Sequence, residues 1–244
     1  MELIFVKVTP TSGGGYDGYE MLEAMEYAAT LNADVVNMSL GNFLSSNPYA
    51  SVLRRIRNSG AVIVSAAGNV SQSDLHYPSA DNSVVGVGAF ASLLNYGASA
   101  TEYAMASYST FGDKNVQICA PGGFYTTTMD GGYAYGNGTS LATPIVTAAV
   151  ALYRSLYPES TVDEVETALF ASANDQGDRG KDYQFGYGGL NVYDFLFGEK
   201  GTVTFDYGTG KTETRTVSKG KALQDYPFPV AADIPTGKGF GGWC

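Results

Sequence analysis

Residues 61–69 read Ala61-Val62-Ile63-Val64-Ser65-Ala66-Ala67-Gly68-Asn69, an apolar run that closes on a glycine turn. A run that is apolar at nearly every position, rather than at alternate ones, suits a strand covered on both faces in a parallel sheet. Immediately upstream, Val52, Leu53 and Ile56 stand at helical spacing and the pattern stops at Ser59-Gly60, a C-terminal helix signal. Before that helix, Val35-Val36-Asn37-Met38-Ser39-Leu40 reads as another strand, itself preceded by a helix over 19–31 that spaces Met21, Leu22, Met25, Ala28 and Ala29 along one face. Downstream, short strands are predicted at 83–89 and 116–119, separated by turn-rich polar chain. Strands alternating with helices through short connections predict an α/β fold, a parallel sheet flanked by helices, with ligands bound at the carboxyl ends of the strands.

The longest helical candidate covers 140–157 and is apolar on almost every side, through Leu141, Ile145, Val146, Ala149, Val150, Leu152 and Leu156, so it is expected at the centre of the domain. Pro144 is assigned to its first turn, where a missing N–H is tolerated. Thr161-Val162-Asp163-Glu164 is a capping-box sequence for a helix reaching about residue 171, and a glycine-rich stretch over 185–190 leads to a short closing element at 192–197. At the other end, Met1-Glu2-Leu3-Ile4-Phe5-Val6-Lys7-Val8 reads as a buried parallel strand running into a glycine loop over 9–15. A domain rarely opens on a central strand, so the expectation is a natural start upstream of Met1, and an unpartnered sheet edge that makes the isolated chain poorly soluble. Composition shifts at Gly198-Glu199-Lys200-Gly201. Beyond it Val203-Thr204-Phe205, a loose turn at Gly208-Thr209-Gly210, and alternating Thr212, Thr214 and Thr216 predict a β-hairpin. Two units follow, 1–199 and a small β-rich module over 200–244.

Composition narrows the function. A formal net charge of -10, from 24 acidic and 14 basic residues, excludes a strong electrostatic footprint for nucleic acid or anionic membrane. No apolar stretch is long enough for a transmembrane segment, and residues 1–8 lack the basic start and cleavage site of a signal peptide. Cys119 and Cys244 are too few for a disulfide framework or structural zinc, and Cys119, in an apolar run, reads as a small buried hydrophobe.

Chemistry enters at Gly136-Asn137-Gly138-Thr139-Ser140-Leu141-Ala142-Thr143-Pro144. Glycines let backbone approach a substrate closely, and the helix that begins here offers unpaired N–H donors to a developing oxyanion. Ser140 is placed as a nucleophile is placed. Singly, it also reads as a helix N-cap, and Asn69 as an asparagine in a left-handed turn.

Taken together, Asn37-Met38-Ser39-Leu40-Gly41, Val62-Ile63-Val64-Ser65-Ala66-Ala67-Gly68-Asn69, Tyr77-Pro78, Ala120-Pro121-Gly122 and Gly138-Thr139-Ser140-Leu141-Ala142-Thr143-Pro144 resemble, in order and spacing, the subtilase family of serine peptidases over about residues 3–197. The resemblance implies a subtilisin-like parallel sheet and hydrolysis of peptide bonds through an acyl-enzyme on Ser140. It makes Asn69, with the Ser140 N–H, the oxyanion donor. Ser39, Leu40 and Gly41 become a strand edge that pairs with an extended polypeptide, and Ala66, Ala67 and Gly68 a wall of the pocket for the residue before the cut. Such chemistry needs no cofactor; the only metal it suggests is a structural calcium in a full-length parent, for which no ligand set stands out.

One departure from the family is large. Its triad runs Asp, His, Ser, and neither the early Asp-x-Gly motif nor the His-Gly-Thr-His motif is present; Asp17 falls too late in the pattern, and Ile145 replaces a non-catalytic histidine. The single histidine, His76, precedes Tyr77-Pro78, near the base of the specificity pocket in the family. It is expected either to favour polar or acidic side chains increasingly as pH falls, or to lie on the surface of a variable loop. The chain by itself is thus expected to be inactive or nearly so, as the carboxyl part of a catalytic domain. Residues 201–244, through Val203-Thr204-Phe205, Val217-Ser218-Lys219-Gly220, Leu223 and 237–243 ending at Trp243, resemble the Listeria-Bacteroides type repeat of bacterial surface proteins. That likeness implies a truncated module contacting the cell surface or other proteins, in a secreted or surface-bound parent. The competing reading is a non-catalytic surface binding protein that keeps a degenerate subtilase fold.

Overall fold

A computed structural model describes residues 2–9, 15, 17–91, 104–206 and 212–218. Within them the chain forms α1 (Gly18–Ala28), β1 (Val35–Met38), β2 (Asn42–Phe43), α2 (Ala50–Asn58), β3 (Val62–Ala66), β4 (His76–Tyr77) and β5 (Val85–Phe90). It continues through β6 (Ile118–Pro121), β7 (Gly123–Thr127), β8 (Tyr133–Asn137), α3 (Thr139–Leu156), α4 (Val162–Ser172), α5 (Val192–Phe197), β9 (Lys200–Asp206) and β10 (Thr212–Ser218). The glycine loop before α1, the chain over 92–103, the turn at 208–210 and most of the repeat-like tail lie outside the described residues.

The central sheet has the order β1-β3-β5-β6, every pairing parallel, so sheet order follows chain order. β3 explains why its sequence is continuously apolar. Val62 and Val64 enter a core with α3, α4 and α5, while Ile63 enters a second core with Met21, Met25, Leu53 and Ile56 of α1 and α2 on the opposite face. α1 is closed by an Asp17–Glu20 capping box and α4 by the Thr161–Glu164 box read from the sequence. Arg154, buried near the end of α3, donates to the carbonyls of Gly60 and Ser160 and so ties the α2–β3 turn to the α3–α4 turn.

Three expectations are corrected. Residues 2–8 form no strand: no ladder among the described residues includes them, and Leu3, Ile4 and Phe5 are exposed. An apolar run becomes a strand only where a neighbour accepts its backbone hydrogen bonds, and β1, at the sheet edge, pairs with β3 alone. α3 is central but not enclosed, since it covers one face of a four-stranded sheet and leaves Leu152 and Leu156 half exposed. Pro144 is the sixth residue of α3, in its second turn and not its first. The sequence reading also passed over β2, β4 and the β7–β8 hairpin, which carries exposed Tyr125, Tyr133 and Tyr135.

Over 200–218 the predicted hairpin is present, β9 against β10 in antiparallel register with Thr204 opposite Thr214. Phe205 is buried, with exposed Thr202 and Thr204 alternating around half-buried Val203, and β10 lies against α4.

Candidate active site

Three segments meet at the carboxyl ends of the parallel strands: 39–41 leaving β1, 66–69 leaving β3, and the start of α3. Gly138 is the N-cap of α3 at φ 146°, a backbone conformation that suits glycine alone. Its N–H is held by the Gly122 carbonyl at 2.8 Å and by Tyr108 Oη at 3.1 Å, and Tyr108 donates to the same carbonyl at 2.7 Å. The phenol, whose pKa is raised by burial, thus bridges the entry to β7 and the turn before Ser140.

Thr139, fully buried, organises the next layer. Its hydroxyl accepts from Gly68 N at 3.1 Å and donates to Asn69 Oδ1 at 3.0 Å, and its N–H donates to the same Oδ1 at 2.9 Å. Two donors on one oxygen fix the amide's orientation, because the atom facing a backbone N–H must be the acceptor. The NH₂ of Asn69, an exposed residue, is left as the donor. Asn69 is not at positive φ, where Gly68 stands at 103°, and Ser140 is the second residue of α3 and not its cap. The rival local readings of both residues are therefore not the observed conformations.

Ser140 and Ser39 are paired reciprocally. Ser140 Oγ donates to the Ser39 carbonyl at 3.0 Å, and Ser39 Oγ donates to the Ser140 carbonyl at 2.9 Å. The second bond has a cause in the sequence: Pro144 has no N–H with which to close the helical bond to the Ser140 carbonyl, and Ser39 supplies the missing donor. Asn37 Nδ2 in turn donates to Ser39 Oγ at 3.0 Å, and Thr147 Oγ1 donates to Asn37 Oδ1 at 2.9 Å. The Ser140 N–H, in the first turn, has no intrahelical acceptor and faces the same side as the helix dipole's positive end. A hydroxyl, a side-chain amide and a main-chain N–H thus belong to residues joined at the head of α3. The Ser39 carbonyl orients the hydroxyl but is too weak a base to remove its proton.

His76 lies elsewhere in this layer, 5% exposed, in β4 paired antiparallel with β2. Its ring Nδ1 is 3.3 Å from Ser79 Oγ and its face meets the Phe43 ring edge-on at 4.8 Å between centroids. Burial holds its pKa down to about 4, opposed by the carbonyls of Ala66 and Gly41, which favour the charged form. One of the two expectations for this residue is corrected: it is not a surface histidine. Its lowered pKa moves any effect of protonation to more acid pH. Leu40 and Gly41 continue from Ser39 without joining a ladder, and Ala66, Ala67 and Gly68 are buried where β3 ends. Cys119 is buried, its thiol pushed up by burial, as a small hydrophobe should be. Among the described residues no three His, Cys, Asp or Glu side chains are grouped to hold a metal, and no helix is long and apolar enough to cross a membrane.

Thr139, Tyr108 and Phe43 were not singled out from the sequence. Thr139 stood inside the quoted motif and could have been suspected; Tyr108 and Phe43 gave no local signal.

Comparison with known proteins agrees with this geometry. The subtilase family, peptidase S8, matches residues 1–188. Subtilisin DY of Bacillus licheniformis is 34% identical over 198 residues, covering 79% of this chain and 67% of that protein. The minor extracellular protease Epr of Bacillus subtilis (strain 168) is 33% identical over 189 residues, covering 77% of this chain and 28% of that one. The chain thus spans two thirds or less of the length of these relatives. Among solved structures, a lanthipeptide protease superposes with a TM-score of 0.64 at 27% identity, covering 78% of this chain and 68% of that one. A serine at the head of a central helix, an asparagine amide held by the residue before it and a family match over most of the chain converge on one conclusion: the chain belongs to the subtilase family.

Proposed function

We propose that this chain carries the nucleophile and substrate groove of a subtilisin-like serine endopeptidase. Ser140 Oγ attacks the scissile carbonyl to form an acyl-enzyme, and the Asn69 amide and Ser140 N–H stabilise the oxyanion. An extended polypeptide pairs with Ser39, Leu40 and Gly41, with Ala66, Ala67 and Gly68 on its other side and His76 at the base of the pocket between them. The observation that carries the reading is the Thr139–Asn69 arrangement, in which Thr139, the residue before Ser140, occupies the amide oxygen with two donors and so leaves the NH₂ as the donor Asn69 can offer.

The same reading assigns the chain little hydrolysis by itself. The one histidine is buried at the pocket base, and Ser140 donates its proton to a carbonyl. Acyl transfer at a useful rate therefore requires a general base from outside these 244 residues. The relatives' extracellular setting and the β9–β10 hairpin favour a secreted or surface-located protein whose C-terminal module contacts other surface components.

The test is fluorophosphonate labelling of the chain, read at Ser140 by mass spectrometry, with and without added imidazole. Labelling is expected only with the added base, and none in the Ser140→Ala variant. A serine that stays inert with base present, in a chain that still binds peptides, would favour a non-catalytic binding protein on the same fold.

A further inference from the structure

Granting that a polypeptide lies along 39–41 with its scissile carbonyl at Ser140, the position of one substrate side chain is fixed by the strands. β1 and β3 stay in register as far as Met38 opposite Ser65, then part into 39–41 and 66–68. A carbonyl held between Ser140 and Asn69 presents the side chain of its own residue to that gap.

The gap is already filled. A Cβ placed on Gly41 would sit 2.3 Å from His76 Cε1 and 2.9 Å from its Nε2. A Cβ placed on Gly68, on the facing wall, would sit 3.1 Å from His76 Cδ2, 3.0 Å from Phe43 Cζ and 2.9 Å from Thr110 Oγ1. Side chains from three separate segments therefore converge on Gly68, and neither wall could carry even a methyl group. Both glycines are required by the ring between them. The imidazole is not a loose occupant: the β2–β4 register sets Phe43 opposite His76, and Ser79 flanks the ring nitrogen. Thr110 Oγ1 is buried without a hydrogen-bond partner, so an apolar group pressed onto this floor meets a polar atom that it cannot satisfy.

We propose that His76 and Phe43 raise the floor of this pocket so far that the groove accepts only small residues, glycine, alanine or serine, immediately before the bond to be cut. The selection is steric. A leucine or phenylalanine side chain would have to expel a buried imidazole from its contacts with both walls, whereas a methyl or hydroxymethyl group stops short of it.

The experiment measures binding by the 244-residue chain, which needs no turnover. Fluorescent extended peptides identical except for Gly, Ala, Ser, Leu or Phe at that position are titrated and followed by polarisation. The small-residue peptides are expected to bind on the order of tenfold or more tightly than the Leu and Phe peptides. His76→Gly should reverse that order, and Phe43→Ala, at the half-exposed lip, should narrow it without disturbing a buried site. His76→Gln, which keeps a planar group of similar bulk in place, should preserve it. Wild-type binding of Leu or Phe peptides as tight as that of Ala peptides overturns the inference, and so does an unchanged order in both His76→Gly and Phe43→Ala. If His76→Gly melts too low to assay, Phe43→Ala decides alone. Failure of every peptide to bind overturns the groove assignment itself and this inference with it, which separates the two.

Discussion

The corner around Ser140 and the floor around His76 lie against each other yet are built on different principles. In the corner, short polar side chains and main-chain groups satisfy one another: Thr139 serves Gly68 and Asn69, and Ser39 serves the carbonyl that Pro144 orphans. On the floor, a large ring is held by burial and by a two-residue strand pairing, beside a threonine hydroxyl that has no partner. The difference shows what each region can tolerate. A network of paired polar groups fixes positions closely and fails as a unit, whereas a packed floor can be rebuilt in size without touching the chemistry beside it.

Substitutions test the two regions separately. The largest loss is expected from Thr139→Val, which keeps the shape but strands the Gly68 N–H and one bond to Asn69; chemical denaturation should show a destabilisation of roughly 2 to 5 kcal/mol. A loss under half a kilocalorie would mean that the corner is not a cooperative network. Next comes the floor, through pH. His76 titrates at about 4 in the folded chain and near 6.5 when unfolded, so the unfolded state binds the proton first as pH falls. Full stability is present above about pH 6.5 and is lost progressively down to about pH 4, by at most about 3 kcal/mol. His76→Gln should flatten this part of the profile, and a profile that keeps its slope in the variant would remove His76 from the account.

Ser39→Ala is expected to cost about 1 to 2 kcal/mol by leaving the Ser140 carbonyl without a donor. Pro144→Ala, which restores a helical N–H to that carbonyl, should cancel most of the loss in the double variant. Simple additivity in that cycle would show that Ser39 and Pro144 are unconnected. The smallest change is a control remote from both regions. Thr161→Ala removes the α4 cap for about 1 kcal/mol and should leave peptide binding unaltered.

Most of the corner could be read from the chain because its parts are short segments with local rules. The apolar run at β3, the glycine before α3 and the Thr161 capping box each announce themselves within a few residues. The floor could not be read so, since Phe43 and His76 meet only through the β2–β4 pairing, and two-residue strands leave no periodicity to detect. Residues 2–8 mislead for the opposite reason: their pattern is that of a strand, but a strand is a property of a pair and not of a segment. Pro144 was misplaced by one turn, and the compensating hydroxyl lies 101 residues away along the chain from the residue it serves.

That separation governs when the chemistry becomes available during folding. The bond between Asn69 and Thr139 spans 70 residues and the Ser39–Ser140 pair spans 101, so both wait for long loop closures across successive parallel strands. A chain that has made its helices and hairpins but not those closures holds an ordinary serine hydroxyl with no oriented amide beside it. The order of assembly itself therefore keeps this serine and this amide apart until the parallel sheet between them is complete.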